Sequence, residues 1–328
     1  MVNNFKANRP YNSFLLFIYG LALCWSVLGK SMPVIINSQD GFLWQWMIKA
    51  MGVANRQHSV VFGICILMLV FIQTIVINQL VITQRLFSKV NYLTGMCFLI
   101  LYGLFIQKIA FSSSLVSCTI LLVTLNKVCS LQNAPNPKTT IFNVAISIGI
   151  ASMFYFPAIL FALVLLLSMI INRPFRMAEW LLMFVGFITP YYFFIAVVFL
   201  LDLTFNSQFL YLGIFPQQFK WSTSELISAI LLLILLISGI YFSQQNMRRL
   251  LVQSRKAWSL LILWLFIGAT MPFFNSVRDY GAIFFLAPPL ATILTAFFYY
   301  YPKNWVVLFF HWLLVGMTVI NAVAVWMS

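Results

Sequence analysis

Long apolar runs separated by short polar segments make up most of this chain. Most runs are near-continuously apolar for about 18 to 23 residues and do not alternate with a period of two, which predicts membrane-spanning helices rather than a barrel. They predict about eleven spans. These lie near residues 12–29, 59–80, 92–109, 111–126, 141–153, 155–172, 179–201, 224–243, 257–274, 281–299 and 304–326. The fifth is short, and the fourth and fifth are the least distinct. We predict an all-α, polytopic transmembrane bundle forming one integral membrane domain over residues 1–328.

Basic residues divide unevenly between alternate loops. If the N-terminus is cytoplasmic, thirteen of the nineteen Lys and Arg residues lie inside and six outside, as the positive-inside rule predicts. The inner set is Lys6, Arg9, Arg85, Lys89, Lys127, Lys138, Arg173, Arg176, Arg248, Arg249, Arg255, Lys256 and Lys303. The outer set is Lys30, Lys49, Arg56, Lys108, Lys220 and Arg278. One missed span would invert this orientation.

Composition excludes a soluble protein. With 63% hydrophobic and 7% charged residues, the chain cannot cover a water-facing surface of its size. The net charge of +14 would indicate nucleic acid in a soluble protein. Here the positive side chains are spread over short cytoplasmic loops, so we expect membrane lipids, in particular anionic lipids, as partners and no nucleic acid.

Several classes of chemistry lack the residues they need. The five cysteines have no C-x-x-C spacing, and the two histidines are isolated in apolar sequence, so we predict no metal site. The chain has no Walker A or G-x-G-x-x-G motif and no G-x-S-x-G motif. We therefore expect no cofactor.

Acidic residues are rare, and the predicted topology puts four of the five outside: Asp40, Asp202, Glu225 and Asp279. If the outer face holds a working pocket, any of the four is a possible general base, but Asp202 and Glu225 are more simply interpreted as solvated loop carboxylates. Asp40 lies in the first outer loop, residues 30–58, just before an aromatic segment at 42–49 that predicts a short interfacial helix. Asp40 is therefore the candidate catalytic base. The alternative is a helix N-cap or turn carboxylate, with Gly41 supplying the turn.

A second group of candidates precedes the tenth span. Arg278, Asp279 and Tyr280 are candidate substrate-binding residues, because an Arg fork suits a phosphate group. A simple surface pair between Arg278 and Asp279 is the alternative. Within the tenth span, Pro288 and Pro289 predict a break in the helical hydrogen-bond ladder.

Aromatic and basic clusters complete the candidate residues. The outer loop 202–224 is rich in aromatic residues and predicts either an interfacial anchor or a roof that stacks on a sugar. Trp221 in this loop and Trp44 in the first outer loop are candidate substrate-binding residues. On the inner side, four basic residues form the densest cluster, which indicates topology anchoring with anionic lipid or a site for a phosphorylated ligand: Arg248, Arg249, Arg255 and Lys256.

The layout resembles the membrane core of GT-C glycosyltransferases. The likeness rests on an outer loop with Asp40 and an interfacial helix, and on Arg278-Asp279-Tyr280 leading into a Pro-containing span. It implies metal-independent transfer of sugar from a polyprenyl-phosphate donor at the outer membrane face. Asp40 would be the base, Arg278 the phosphate ligand and Tyr280 a pocket residue. The chain departs from the pattern in having one acid in the first outer loop and no soluble domain after the last span.

Two longer motifs resemble a polytopic inner-membrane family of Bacteroidota, a domain of unknown function. They are Asn8-Arg9-Pro10-Tyr11-Asn12 and the run from Asn172-Arg173-Pro174 through Gly186-Phe187-Ile188-Thr189-Pro190-Tyr191. This likeness implies a multi-pass protein of the bacterial inner membrane, but no activity.

Two other function classes remain open. A non-catalytic partner of a cell-envelope assembly machine would need faces for other envelope proteins, which spans with Gly20, Gly149, Gly186 and Gly239 could supply. A lipid or small-molecule transporter would need polar groups within its spans. The candidates are more simply interpreted as interhelical hydrogen-bond partners: Gln73, Asn78, Asn126, Asn143 and Asn321.

Overall fold

The computed structural model describes most of the chain. The described residues are 2–7, 9, 11–29, 32–34, 40–51, 58–131, 136–172, 174–202, 221–274 and 280–327. Within these ranges the fold is helical apart from two two-residue strands, β1 (Met32–Pro33) and β2 (His58–Ser59), which pair antiparallel. The prediction of an all-α bundle is confirmed at this level.

Fourteen α-helices lie within the described residues. The first seven are α1 Val2–Lys6, α2 Asn12–Leu23, α3 Trp25–Gly29, α4 Phe42–Ala50, α5 Val60–Thr83, α6 Leu93–Leu104 and α7 Ser113–Ser130. The remainder are α8 Pro137–Phe154, α9 Ala162–Asn172, α10 Met177–Leu200, α11 Thr223–Met247, α12 Val252–Thr270, α13 Ala287–Tyr300 and α14 Asn304–Met327.

Each predicted span coincides with at least one of these helices. Within the described residues, seven helical segments are long and apolar enough to cross a membrane. They are Val60–Thr83, Ser113–Ser130, Met177–Leu200, Thr223–Met247, Val252–Phe274, Tyr280–Tyr300 and Asn304–Ala324. The chain is thus a helical membrane protein. The count of eleven spans and the direction in which the bundle crosses the membrane stay predictions.

Several helices differ in detail from their apolar runs. The first run is broken at Cys24, between α2 and α3. The fifth run, predicted to be short, belongs to α8, which has 18 residues. The tenth begins as a 3-10 helix, Tyr280–Leu286, and becomes α-helical at Ala287. Pro288 and Pro289 lie in the first turn of α13, where a missing N–H breaks no α-helical hydrogen bond. They therefore mark a helix start and not a mid-helix kink.

The short helix α6 forms the centre of the bundle. All twelve of its residues are buried, and it packs against α2, α5, α13 and α14. By contrast, only 22% of the α10 membrane window and 28% of the α11 window are buried. Their exposed side chains are large and apolar, such as Phe199 and Ile230. The peripheral helices therefore present apolar surface suited to contact with membrane lipid.

Polar side chains in the spans join helices to one another. The Tyr102 hydroxyl donates to Gln73 Oε1 at 2.6 Å, and Gln73 Nε2 donates to Thr119 Oγ1 at 2.7 Å. Asn321 Nδ2 donates to the Leu104 carbonyl at 2.7 Å. Asn78 and Asn126 accept hydrogen bonds from α6 and α5, respectively. The interhelical interpretation is confirmed for these four amide side chains, which makes them poor indicators of a transport path.

The four glycines proposed as partner faces are used inside the bundle. A Cβ on Gly239 would lie 2.3 Å from the Ile293 carbonyl oxygen, and one on Gly186 would lie 2.9 Å from the Phe142 carbonyl oxygen. A Cβ on Gly149 would lie 2.9 Å from Pro190 Cγ of α10, and one on Gly20 would lie 3.1 Å from Leu99 Cδ2 of α6. The suggestion that these glycines serve an external partner is therefore wrong. They allow close helix packing within the chain.

Candidate functional site

Side-chain contacts separate the loops into two ends of the bundle. Lys108 contacts Glu225, and both belong to loops or helix ends predicted outside. Ser88 hydrogen-bonds Tyr299, and both are predicted inside. We refer to these as the outer end and the inner end, after the predicted topology.

One short segment organises the outer end. We refer to residues 105–113 as the outer connector; it runs from Phe105, just after α6, through the 3-10 helix Ile106–Lys108 to the first residue of α7. Four predicted site residues contact it: Asp40, Trp44, Trp221 and Tyr280. Residues far apart in sequence thus meet on a single element.

Asp40 points toward the outer connector. The residue is 5% exposed, and its Oδ1 accepts a hydrogen bond from Ser113 Oγ at 2.6 Å. The N-cap of α4 is Gly41, without a side-chain cap. The interpretation of Asp40 as the N-cap is therefore wrong.

Gly41 has a packing role of its own. Its amide donates to the Phe154 carbonyl at the end of α8, at 3.0 Å. A Cβ on Gly41 would lie only 1.9 Å from the Met153 carbonyl oxygen. Glycine is therefore needed because two backbones approach closely, and this contact fixes the position of Asp40 one residue earlier.

The helix predicted at residues 42–49 is present as α4, and its position at the membrane interface stays a prediction. Its two tryptophans differ in exposure: Trp46 is 61% exposed, whereas Trp44 is fully buried. The Trp44 ring lies 5.1 Å from the Phe111 ring, centre to centre, and Phe111 also stacks on Phe62 at 5.5 Å. Trp44 thus packs α4 onto the outer connector, and a role in substrate binding stays a prediction.

An ion pair lies at the other end of the outer connector. Lys108 Nζ is 3.4 Å from Glu225 Oε2 and 4.5 Å from the centre of the Tyr280 ring. Glu225 also forms a capping box with Ser222 at the start of α11. Glu225 is 1% exposed, whereas Asp202 is exposed. The interpretation as a solvated carboxylate is confirmed for Asp202 and wrong for Glu225, because the cap and the ammonium group replace water around its carboxylate.

Trp221 and Tyr280 contact the outer connector at Phe105 and Lys108, respectively. The Trp221 ring meets Phe105 edge-on at 5.8 Å. Tyr280 is the first residue of the helix leading to α13. Arg278 and Asp279, the two residues before Tyr280, lie outside the described residues, as does the loop segment 203–220.

The outer end thus combines groups that suit a phosphate-bearing substrate. Asp40 is an acceptor next to the Ser113 hydroxyl, and Lys108 is a cation beside an aromatic ring. A carboxylate can take a proton from a hydroxyl group, and a cation can stabilise a phosphate leaving group. Within the described ranges, no group of three His, Cys, Asp or Glu side chains is arranged to hold a metal ion.

The basic cluster lies at the inner end, with Arg248 and Arg249 in the turn between α11 and α12 and with Arg255 and Lys256 near the start of α12. Arg248, Arg249 and Arg255 are exposed, and Lys256 is half-buried. α12 begins at Val252, earlier than its apolar run predicts. The ligand of these basic side chains, whether anionic lipid or a phosphorylated compound, stays a prediction.

Comparison with known proteins gives a family and no activity. Residues 31–324 match the model of a family of unknown function, DUF6427. The chain belongs to this family. No curated protein and no solved structure matches it significantly. The likeness of this DUF6427 member to GT-C enzymes therefore stays a prediction. Its origin in Bacteroidota also stays a prediction.

Sequence reasoning missed two partners at the outer end of this DUF6427 chain. Lys108 was counted only as one of six outer basic residues, and Ser113 was not singled out. The sequence did contain a signal for Lys108. A single Lys near the end of a span is expected to pair with a nearby carboxylate when both groups are buried. Ser113 lies in a Ser112-Ser113-Ser114 run, which has no distinctive motif.

Proposed function

We propose that this protein is a GT-C-like glycosyltransferase of the bacterial inner membrane, which moves a sugar from a polyprenyl-phosphate donor at the outer face. The supporting observation is that Asp40, Trp44, Trp221 and Tyr280 all contact the outer connector. Sequence alone selected these residues from three segments: Asp40 and Trp44 from the first outer loop, Trp221 from the loop 202–224, and Tyr280 from just before the tenth span. Their common neighbourhood is what a site assembled from several loops requires.

In the proposed reaction, Asp40, Lys108 and Arg278 have distinct roles. Asp40 accepts the proton of an acceptor hydroxyl as the acceptor oxygen attacks the anomeric carbon of the sugar. The bond from that carbon to the phosphate oxygen breaks, and its electron pair leaves with the polyprenyl phosphate. Lys108 and Arg278 stabilise the negative charge on the departing phosphate. No metal enters this scheme.

Gene deletion followed by complementation tests the proposal. Surface glycans and glycolipids are profiled in the deletion strain and after restoring the wild type, Asp40→Asn or Asp202→Asn at matched membrane levels. Asn keeps an acceptor oxygen for Ser113 but cannot act as a base, so we expect Asp40→Asn to fail where wild type succeeds. Asp202→Asn is the matched control, because Asp202 is an exposed outer acid away from these contacts.

Two outcomes would overturn the catalytic proposal. One is an unchanged glycan profile after deletion. The other is full restoration by Asp40→Asn at wild-type protein levels. Failure of Asp202→Asn as well would indicate a general effect of outer-face acids.

The second candidate is a non-catalytic membrane partner of a cell-envelope assembly machine. It is favoured by the burial of Asp40, because a carboxylate that is 5% exposed and bonded to Ser113 fits a structural role. This candidate predicts that Asp40→Asn restores a deletion phenotype whereas Ser113→Ala, which removes the bond, lowers the protein level. Quantitative immunoblotting of membranes separates the two.

A further inference from the structure

A polar pocket opens at the inner end, where α5 turns into α6. It has a volume of about 530 Å³, within the range of about 300 to 1,000 Å³ common for small-molecule sites. None of its lining residues is acidic. Its polar lining comes from five residues between the last residue of α5 and the loop before α6: Thr83, Arg85, Ser88, Lys89 and Asn91.

The length of α5 predicts that the pocket lies near lipid headgroups. α5 has 24 residues, so its length of about 36 Å exceeds a hydrocarbon core of about 30 Å. We therefore expect its last residue, Thr83, at the membrane surface. The pocket lining runs from Val81 at the end of α5 through the following loop to Asn91.

The loop that forms the pocket is held from two sides. Ser254 Oγ of α12 lies 2.8 Å from the carbonyl oxygens of both Gln84 and Arg85. On the opposite side, the Tyr299 hydroxyl bonds Ser88 Oγ at 2.7 Å and accepts the Lys89 amide at 3.1 Å. The cationic side chains thus extend from a backbone that is fixed to α12 and α13.

The backbone at Arg85 is unusual for its residue type. Its φ is +49°, in the left-handed region, which non-glycine residues adopt uncommonly and at some cost. A Gly or Asn would fit this turn more easily. Neither would supply the guanidinium group that Arg85 contributes to the pocket.

Charge in the pocket is uncompensated. Among the described residues, neither the Arg85 guanidinium nor the Lys89 ammonium has an ion-pair partner, and both side chains are exposed. Lys6 adds a third cation close by, with its Nζ 5.7 Å from the Tyr299 ring centre. The helix dipole and the positive-inside rule explain a single basic residue just after a helix. They do not explain why two cations, two hydroxyls and an amide line one pocket.

We propose that this pocket binds a phosphate-bearing anion. The Arg85 fork and the Lys89 ammonium contact the phosphate oxygens. The Ser88 hydroxyl and the second Nδ2 hydrogen of Asn91 supply neutral hydrogen bonds, whereas the Thr83 hydroxyl is already a donor within the bundle. The phosphate belongs either to an anionic phospholipid headgroup or to a soluble phosphorylated compound. This site is at the opposite end of the bundle from the outer connector and does not depend on the glycosyl-transfer proposal.

Titration of the full-length protein tests the site. In the first arm, purified protein in detergent is titrated with phosphatidylglycerol and each bound lipid is resolved by native mass spectrometry. In the second arm, inorganic pyrophosphate is titrated by calorimetry. The test variant is Arg85→Asn/Lys89→Gln, because Asn tolerates the left-handed backbone at position 85. The control is Lys127→Gln/Lys138→Gln, which removes two exposed charges of the same predicted face.

We expect the test variant to bind at least about tenfold more weakly than wild type, as loss of charge-assisted bonds implies, and the control to match wild type. Such a loss for phosphatidylglycerol identifies a lipid headgroup. A loss for pyrophosphate alone identifies a soluble phosphate compound. Equal binding by wild type and test variant, or equal weakening in both double variants, would overturn the proposal.

Discussion

At the scale of single residues, the contact between Lys108 and Glu225 governs the outer end. The Glu225 side chain is 1% exposed and that of Lys108 is 14% exposed. Two charges withdrawn from water are tolerated only when they lie close to each other and to hydrogen-bonding groups. Their proximity fastens the start of α11 to the outer connector and orients Lys108 over Tyr280.

Glu225→Gln is expected to lower the free energy of unfolding by about 2 kcal/mol. Gln keeps an oxygen for the capping box but removes the carboxylate charge beside Lys108. The figure lies below the 3–5 kcal/mol typical of a fully buried pair, because Lys108 retains some exposure. Unfolding by SDS in mixed micelles, followed by tryptophan fluorescence, measures the change. Asp202→Asn, at an exposed acid, should stay within about 0.5 kcal/mol of wild type; equal losses in the two variants would contradict the argument.

His311 gives a second prediction at this scale. The residue is fully buried in α14, and neither ring nitrogen has a hydrogen-bond partner among the described residues. Its ring stacks on Tyr19 at 6.1 Å and meets Phe298 edge-on. We expect His311→Phe to keep or raise stability, by up to about 1 kcal/mol, because an unpaired polar group is replaced by an apolar ring of similar shape.

The matched variant for that site is His311→Ala. It removes the ring and leaves a cavity, so it should cost about 3 kcal/mol in the same SDS unfolding assay. A loss of stability in His311→Phe as large as that in His311→Ala would mean that the ring nitrogens make a contact essential to folding.

Sequence reasoning at this scale identified residue types but not partners. The rarity of acids made Asp40 conspicuous, and the structure brings it to Ser113. Glu225 was wrongly predicted to be solvated. Hydropathy shows that a residue lies near the end of a span, but it does not show whether a Lys distant in sequence forms an ion pair with it. A one-dimensional pattern carries no information on which helix ends become neighbours.

At the scale of elements, apolar runs predicted where helices form because a helix satisfies its own backbone hydrogen bonds within hydrocarbon and the runs lack the period of two that a barrel needs. The breaks inside the runs were harder to predict. The interruption at Cys24 has no Pro to mark it, and the 3-10 helix before Ala287 is followed by prolines that suit a helix start equally well. Such breaks are set by packing against neighbouring helices.

Close helix crossings give a test of element packing. Gly239→Ala should destabilise the protein by about 1 to 3 kcal/mol, because its Cβ would lie 2.3 Å from the Ile293 carbonyl oxygen and would force α11 away from α13. Gly316→Ala is the control, because no atom lies within 4 Å of its added Cβ. SDS unfolding should show Gly316→Ala equal to or slightly above wild type, since Ala favours helix. Similar losses at both glycines would indicate a backbone effect and not a crossing.

At the scale of the whole molecule, length and hydropathy predicted a helical membrane protein but not which helices are central and which face the lipid. α6 is entirely buried and yet has only 12 residues, so it spans about 18 Å, less than the hydrocarbon thickness of about 30 Å. A continuous apolar run therefore predicts either a lipid-facing span or a central helix. Burial by α2, α5, α13 and α14 decides between them, and it appears only when the helices are assembled.

The predicted number of membrane crossings determines which loops share a side of the membrane. Cysteine labelling measures the side of each loop directly. Single cysteines replace Lys138 and Asp202 in a background without the five native cysteines; both positions are exposed. Three predicted spans separate them, so they should lie on opposite sides of the membrane. In intact spheroplasts, a membrane-impermeant maleimide should label Asp202→Cys at once and Lys138→Cys only after lysis.

The opposite pattern would mean that the N-terminus faces outward, and the predicted inner and outer ends would exchange places. Labelling of both positions before lysis would mean that the helices between them cross an even number of times. In that case α8 and α9 are the elements to re-examine: α8 is not among the seven long candidate spans, and the segment Phe156–Ile171 is one of the shorter apolar helices. Because Asp40 and the outer connector precede α8, their side must then be measured separately, with a cysteine at the exposed Trp46.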